Sequence, residues 1–471
     1  MRTPVPQRTF ADAELLRQGV QLEPTLKTIA AFLDRHGALV DDVGRDLRRG
    51  VKRPTTGRRG LTPAQALRSL ILMRVKNWDY RELRERIADG YTLRGFTQFE
   101  SQRVPKHDAF NRAFNRLTPE TLQAVNDAVV QAAVTLGLED GTKLRVDTSV
   151  VETDIHHPTD STLLWDTVRV VTRLVRQVDD LLPKGAGPFT NRTRAARRRM
   201  HEIARMTARE RSTQQVPTYR ALIWITEQVV AQARAVVARV QAPRRDVLTA
   251  ATVEALKQQI GSYCDLGERV ISQTRRRVLQ EEQVPADEKI YSIFEPHTDL
   301  IKRGKERKPI EFGHKVFLAE SGRGLVTQYR VLTGNPVDQD HVAASLERHT
   351  EAFGHAPELY SADRGFFSAA NLEACDTAGV TCACIPQAGG KRSAEREALE
   401  KSRPFKLGQR FRAGIEGRIS VLFRGRGMKR ALVEGRERFE LLVGAAVLAN
   451  NLMVIAALLQ PKRARRRRPA A

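Results

Sequence analysis

Residues Lys143–Val151, KLRVDTSVV, alternate between apolar and polar positions and are rich in β-branched side chains, so they read as a strand with Asp147 at its middle. The chain before that strand reads as helix. In Leu61-Thr62-Pro63, followed by Ala64, Ala66, Leu67, Leu70, Leu72 and Met73, a proline stands near a helix start and apolar residues recur at helical spacing. Trp78, Tyr80, Leu83 and Ile87 carry the pattern into RELRERIADG, which stops at Gly90, and Pro105 to Leu117 and Pro119 to Leu136 read as two further helices. Residues 1–140 are therefore expected to form a helical domain with basic faces, suited to DNA binding or to dimerisation.

After the strand, which opens a segment spanning residues 141–162, the signals turn helical again over 163–288. LLWDTVRVVTRLVRQVDDLL and YRALIWITEQVVAQARAVVARV repeat apolar residues every three or four positions, on either side of the Arg-rich TRAARRRMHEIARMTARER. Acids there are too few to neutralise the arginines by i,i+4 pairing, which favours phosphate contact over a merely solvated face. Strand signals return from Lys289 in KIYSIFE, GHKVFLAE and LVTQYRVLT, the last two joined by the hairpin-like Ser321-Gly322-Arg323-Gly324. Asp340 to Phe353 predicts a helix, Glu358 to Ala362 a strand, Ser368 to Ala378 a helix closed by Gly379, and Val380 to Pro386 a strand. Gly389 to Leu407 predicts a polar loop, Arg412 to Phe423 and Phe439 to Leu459 two helices, and residues 461–471 a basic tail. The order predicts an α/β fold over 141–162 and 289–460, a mixed sheet flanked by helices, with a long helical insertion after its first strand.

Of 471 residues, 79 are Lys or Arg and 55 are Asp or Glu, a formal net charge of +24. With 41% hydrophobic residues the chain can bury a core, so the charge lies on the surface and favours a polyanion: nucleic acid or an anionic membrane face. Cys264, Cys375, Cys382 and Cys384 make neither a disulfide framework nor a Cys-x-x-Cys metal spacing. The opening MRTPVPQRTFADAELL lacks the apolar core of a secretory signal, which makes a cytoplasmic, nucleoid-associated location the expectation. Leu441 to Leu459 approaches the length of a membrane span, but the adjacent Asn450 and Asn451 at its centre suit a helix buried in a soluble domain.

In so basic a chain, acids isolated at strand ends or on basic helices call for a reason. Asp147 lies within the first strand, Asp363 at the C-terminal edge of another, where open α/β sheets place ligands, and Glu416 on FRAGIEGRISVLF beside the buried Ile415. Converging, they would repel one another and require cations; hard oxygen donors suit Mg²⁺ or Mn²⁺, and a pair of such ions serves phosphodiester chemistry. Arg364, Arg412, Arg418, Arg424, Arg426, Lys429 and Arg430 are placed to bring phosphates to such a cluster. Glu152, Asp154, Asp160 and the pair His156-His157 lie near enough to Asp147 to compete for its role.

These motifs together resemble the insertion-sequence DDE transposases with an RNase H-like catalytic domain, most closely their ISNCY-type branch. The resemblance runs through LTPAQALRSLILMRVKNWDYRELRERI, LRVDTSVVETDIHHPTDSTLL, SIFEPHTDLIKRGK with EFGHKVFLAE, YSADRGF, FRAGIEGRISVLFRGRGMKR and VGAAVLANNL. It implies catalytic, metal-binding carboxylates at Asp147, Asp363 and Glu416. It also implies cleavage of double-stranded DNA at transposon ends and attack of the freed 3′-hydroxyl on target DNA. The broader group carries a Tyr three residues before the Arg of the third motif and a basic residue seven after its Glu. Here those positions hold Gln409 and Phe423, with Arg424 one step later, which leaves open which side chains grip phosphate near Glu416. Two ends cut in synapsis imply a homodimer on DNA. A catalytically retired, transposase-like DNA-binding regulator and a membrane-associated basic protein are the competing readings.

Overall fold

A computed structural model describes residues 10, 14, 21–52, 60–182, 185–241, 246–302 and 309–460. The chain divides into two compact units, residues 1–152 with 315–471 and residues 153–314. The expected basic tail at 461–471 lies outside the described residues.

The first unit opens with helices α1 (Pro24–Arg35), α2 (Asp41–Arg48), α3 (Pro63–Lys76), α4 (Tyr80–Asp89), α5 (Tyr91–Phe96), α6 (His107–Phe114) and α7 (Pro119–Thr135). Their starts follow from local chemistry. Thr62 and Gln65 form a capping box on α3 with Pro63 in the first turn, Asp79 accepts two backbone N–H groups of α4, and Thr118 caps α7 ahead of Pro119. Asn77, in the left-handed region at φ 55°, ends α3. Strand β1 (Lys143–Thr153) then leads to the second unit.

That second unit is a helical bundle of α8 (Asp160–Leu181), α9 (Thr193–Arg205), α10 (Ala208–Arg239) and α11 (Val247–Thr274) around Leu164, Val168, Val171, Leu222, Val229 and Ile260. At Gly267 an added Cβ would lie 2.5 Å from the Thr167 methyl, so glycine lets α11 close on α8. The strand expected at Lys289–Glu295 does not form. Ile290 N donates to the Gln273 side chain, and the Ser292 hydroxyl accepts from the N–H groups of Phe294 and Glu295, so side chains take the bonds a ladder would need. Ile290 and Ile293 anchor this segment in the bundle core instead. Strand signal is realised later, in β2 (Asp299–Lys302), which pairs antiparallel with residues 310–313 of β3 (Ile310–Ser321).

Back in the first unit, β3 turns through the expected hairpin into β4 (Val326–Val331). Then follow α12 (Val342–Phe353), β5 (Leu359–Ser361), α13 (Ala369–Thr377), β6 (Cys382–Cys384), α14 (Ala394–Lys401), α15 (Arg403–Gly425), β7 (Arg430–Ala431) and α16 (Arg436–Leu459). The polar stretch Gly389–Leu407, expected as a loop, contains α14 and the start of α15. Ser393 and Ser402 each cap one of them, and i,i+4 pairs Arg396–Glu400 and Lys401–Glu397 support the first. The sheet runs β2-β3-β1-β5-β6, with β4 paired to β3 and β7 to β1; β3–β4 is antiparallel, whereas β1–β5 and β5–β6 are parallel. It is a mixed, open α/β sheet.

Helix α16 accounts for the apolar stretch that approached the length of a membrane span. By length and composition it and α10 could each cross a membrane, but 78% of the most apolar window of α16 is buried within the protein. One face, Leu441, Ala445, Leu448, Leu452 and Ile455, enters the core of the N-terminal helices. The other, Phe439, Leu442, Val443, Ala446 and Val447, packs on Val316, Leu318 and Val326 of the sheet. Asn451 completes the seam as a peptide mimic: it accepts from Val326 N and donates to Val326 O, each at 2.8 Å, and donates to Asn126.

Candidate active site

Asp147 and Arg145 lie on one face of β1, two residues apart. The parallel register pairs Arg145 with Ser361 on β5, and two residues further along each strand stand Asp147 and Asp363. Two sequence-distant acids are thus set side by side beyond the C-terminal end of β5. Asp363 also caps the single turn Arg364–Phe366, accepting Gly365 N at 2.8 Å, while Phe366 beneath it is fully buried. The loop is anchored from both sides, which fixes the carboxylate.

Helix α15 brings the third acid. It lies tightly on the strands because two positions have no side chain: a Cβ at Gly408 would fall 2.2 Å from Cys384 Sγ, and one at Gly414 2.1 Å from Arg145 Nη1. Gln409 pins the same helix by donating to the carbonyls of Ala362 (3.2 Å) and Cys384 (2.6 Å), and Arg145 Nη1 donates to Phe411 O at 2.6 Å. Gln409, a departure from the resembled pattern, therefore fastens α15 to the strand ends. Phe423, the second departure, packs against the sheet-side core.

On this frame one guanidinium touches all three acids. Arg412 Nη2 lies 3.1 Å from Asp147 Oδ2 and 3.5 Å from Asp363 Oδ2, and Nη1 lies 3.1 Å from Glu416 Oε1 one turn further along the helix. Asp147 is almost enclosed, whereas Glu416 is largely exposed. Burial pushes the Asp147 carboxyl up from 3.8 to about 6; Arg412 and the Thr148 N–H pull it down, and Asp363 and Asp338 push it further up.

Asp338 went unnoticed in the sequence. Its Oδ1 accepts from the Thr148 hydroxyl at 2.9 Å and from Lys315 Nζ at 3.3 Å, and a Cβ at Gly365 would lie 3.1 Å from its Oδ2 and 3.0 Å from Asp363 Oδ1. A fourth acid thus stands beside the Asp147–Asp363 pair. Its setting, Asn-Pro-Val-Asp before a helix, reads as ordinary turn and cap chemistry and carries no separate signal.

The basic residues divide into two groups. Arg364, Arg424 and Lys429 are exposed. Arg418 is turned inward, donating to the fully buried Glu320 (2.8 Å) and to Asn450 (3.0 Å), and Arg145 grips the other oxygen of Glu320. Arg426 donates to Val75 O at the end of α3, and Arg430 pairs with Glu152 at 3.3 Å. In the second unit, Asp160 is held by Arg277 and Gln273, and His156 by Asp166. Among the described residues no group of three His, Cys, Asp or Glu side chains is disposed to hold a metal ion as it stands; the three acids are gathered on Arg412.

Residues 20–116 match the family model described as "Transposase domain (DUF772)". The N-terminal helical region is thus a transposase domain, which implies DNA binding; the match stops short of all three acids. Comparison with curated proteins and with solved structures gives no match.

Proposed function

We propose that this chain is the transposase of an insertion sequence, of the DDE type with an RNase H-like catalytic domain. It binds the terminal inverted repeats, cuts phosphodiester bonds there and joins the freed 3′-hydroxyl ends to target DNA. The observation that carries the reading is the convergence of Asp147, Asp363 and Glu416 on one guanidinium in a strongly basic chain with a transposase domain at its N-terminal end. Support for the RNase H-like reading comes from the mixed sheet, with one acid in β1, the next just past its parallel neighbour β5, and the third on a helix lying across the strand ends.

The donor set fits Mg²⁺ or Mn²⁺. All three groups are carboxylates, hard oxygen donors, and the single positive charge of Arg412 offsets only one of their three negative charges, which leaves the cluster suited to cations. Asp147, Asp363 and Glu416 would hold the ions, two of which, when bound, activate the attacking water or 3′-hydroxyl and stabilise the leaving oxygen. Arg412 keeps the acids together without such ions. Its Nε is buried with no partner, so its hold on the pocket is through the terminal nitrogens alone, and turning them outward presents the guanidinium to a phosphate. Asp338, through Thr148 and Lys315, fixes the wall beside Asp147. Arg364, Arg424 and Lys429 hold the DNA backbone nearby, and the chain acts as a dimer on DNA, one protomer per cut end.

The test is mobility. A selectable marker placed between the element's terminal inverted repeats is supplied with the protein in cells, and excision and integration are scored. Wild type is expected to move the marker. Asp147→Asn, Asp363→Asn and Glu416→Gln are each expected to abolish movement while leaving repeat binding intact. Movement at wild-type frequency with any of the three would remove the catalytic assignment.

A further inference from the structure

The second unit carries a charged face that the reading above does not use. Residues 192–220 contain nine arginines and two acids, Glu202 and Glu210. On α9, Ala196 and Ile203 are buried and Met200 packs beside them, which defines the inner face. Arg194, Arg197, Arg198 and Arg205 are exposed, and their spacing of three, four and eleven residues puts them together on the opposite face. Of that face only Arg198 reaches an acid among the described residues, and at the long distance of 3.9 Å. That acid, Glu202, is taken by Arg199 at 2.6 Å, and Glu210 is spent on the capping box of α10, accepting from Thr207 N and Oγ1.

The next helix extends the same character. Residues 208–214 of α10 are all exposed and the first buried side chain is Thr218, so its opening turns present Arg209 and Arg211 on the surface. Among the described residues, Arg194, Arg197, Arg205, Arg209 and Arg211 have no ion-pair partner. Like charges one turn apart destabilise a helix, a cost that a polyanion would offset.

The face also selects its partner. The half-exposed Trp224 further along α10 is covered by the Arg192 guanidinium at 5.0 Å, and α9 with the opening turns of α10 exposes neither an aromatic ring for unpaired bases nor a large apolar side chain to enter a lipid surface. Arg194 to Arg205 spans about 16 Å along the helix, enough to follow several phosphates of one duplex backbone. We propose that the arginine face of α9, continued by the opening turns of α10, is a second DNA-contact surface that grips the phosphate backbone of duplex DNA without reading sequence. The proposal rests on the transposase reading.

The experiment compares full-length wild type with Arg194→Gln/Arg198→Gln/Arg205→Gln. Binding to a fluorescent random-sequence duplex is measured by anisotropy over a range of salt concentrations, with circular dichroism confirming equal helix content. Each phosphate contact contributes roughly −0.9 to the slope of log K against log salt, so the triple variant is expected to flatten the slope by about two to three and to bind at least tenfold more weakly at low salt. A variant with wild-type slope and affinity, where wild type binds the duplex, overturns the surface and leaves the functional reading standing. Failure of wild type to bind any duplex overturns both. Loss of binding to vesicles containing anionic lipid, with duplex binding unchanged, would reassign the face and overturn the proposal.

Discussion

Replacing Asp147 by Asn should stabilise the protein while destroying its activity. Asp147 is nearly enclosed, and burial raises its carboxyl from 3.8 to about 6. In the folded state the group therefore binds its proton more tightly than in the unfolded chain. Between those two values the native state holds more protons, so stability falls as pH rises through the window and then stays level above about 6. At about 1.4 kcal/mol per pH unit, the rise amounts to about 3 kcal/mol of stability lost from acid to neutral pH. Asn does not ionise and can keep the bond from the Thr148 N–H that Asp147 Oδ1 accepts at 2.8 Å. Relative to wild type, Asp147→Asn should then gain up to about 3 kcal/mol between pH 4 and pH 7, a figure that already contains the attraction to Arg412 because that attraction is part of the net shift. The assay is urea unfolding in chelator, followed by Trp78 in a Trp165→Phe/Trp224→Phe background, since Trp78 packs on the core of the unit that holds Asp147. A gap that stays constant with pH, or a variant less stable than wild type at pH 7, would refute the burial argument.

Further expectations follow from the same geometry. Arg412→Gln frees three carboxylates from their shared cation, so it should bind Mn²⁺ at least several-fold more tightly in a paramagnetic-resonance titration while losing DNA cleavage; weaker Mn²⁺ binding would contradict the placement of Arg412. Glu320→Gln leaves Arg145 and Arg418 without their buried counter-charge and should cost about 3–5 kcal/mol in urea unfolding, a loss under 1 kcal/mol counting against the network. Gly408→Ala forces a Cβ against Cys384 Sγ and should lower both the midpoint of unfolding and cleavage, since α15 carries Arg412 and Glu416; unchanged cleavage would show that this contact does not set the site. Asn451→Leu should cost about 2–5 kcal/mol, because Val326 N and O lose their partner in the core.

Much of this architecture was legible in the residues. Lys143–Val151 has the β-branched composition of a strand and forms one, although as a central strand it is buried on both faces; Ser321–Gly324 makes the turn it implies, and Thr62-Pro63 and Thr118-Pro119 start helices where capping chemistry places them. Asp147, Asp363 and Glu416 stood out by their places in or at the end of a strand and on a basic helix, and their roles came from the resemblance of the motifs around them. What the residues did not disclose depends on tertiary partners. Lys289–Glu295 has strand composition, but Gln273 and Ser292 satisfy its backbone and the helical bundle takes its isoleucines. Gly389–Leu407 lacks an apolar stripe, yet capping serines and local ion pairs make most of it helical. Arg418 looked as available to phosphate as Arg424 until Glu320, nearly a hundred positions away, claimed it. Asp338 joins the site through Thr148 and Lys315, a proximity that no local pattern encodes.

The central claim, that three carboxylates gathered at the strand ends cut DNA, is tested most directly with purified protein and a duplex carrying one terminal inverted repeat and its flank. Cleavage is followed on denaturing gels with Mg²⁺, with Mn²⁺ and with chelator. Wild type should cut at the repeat boundary only with metal, leaving a 3′-hydroxyl, and Asp147→Asn, Asp363→Asn and Glu416→Gln should each bind the duplex normally and fall at least a thousandfold in rate. Cleavage that persists in chelator, or that survives in any one of the three variants at the wild-type rate, would contradict it.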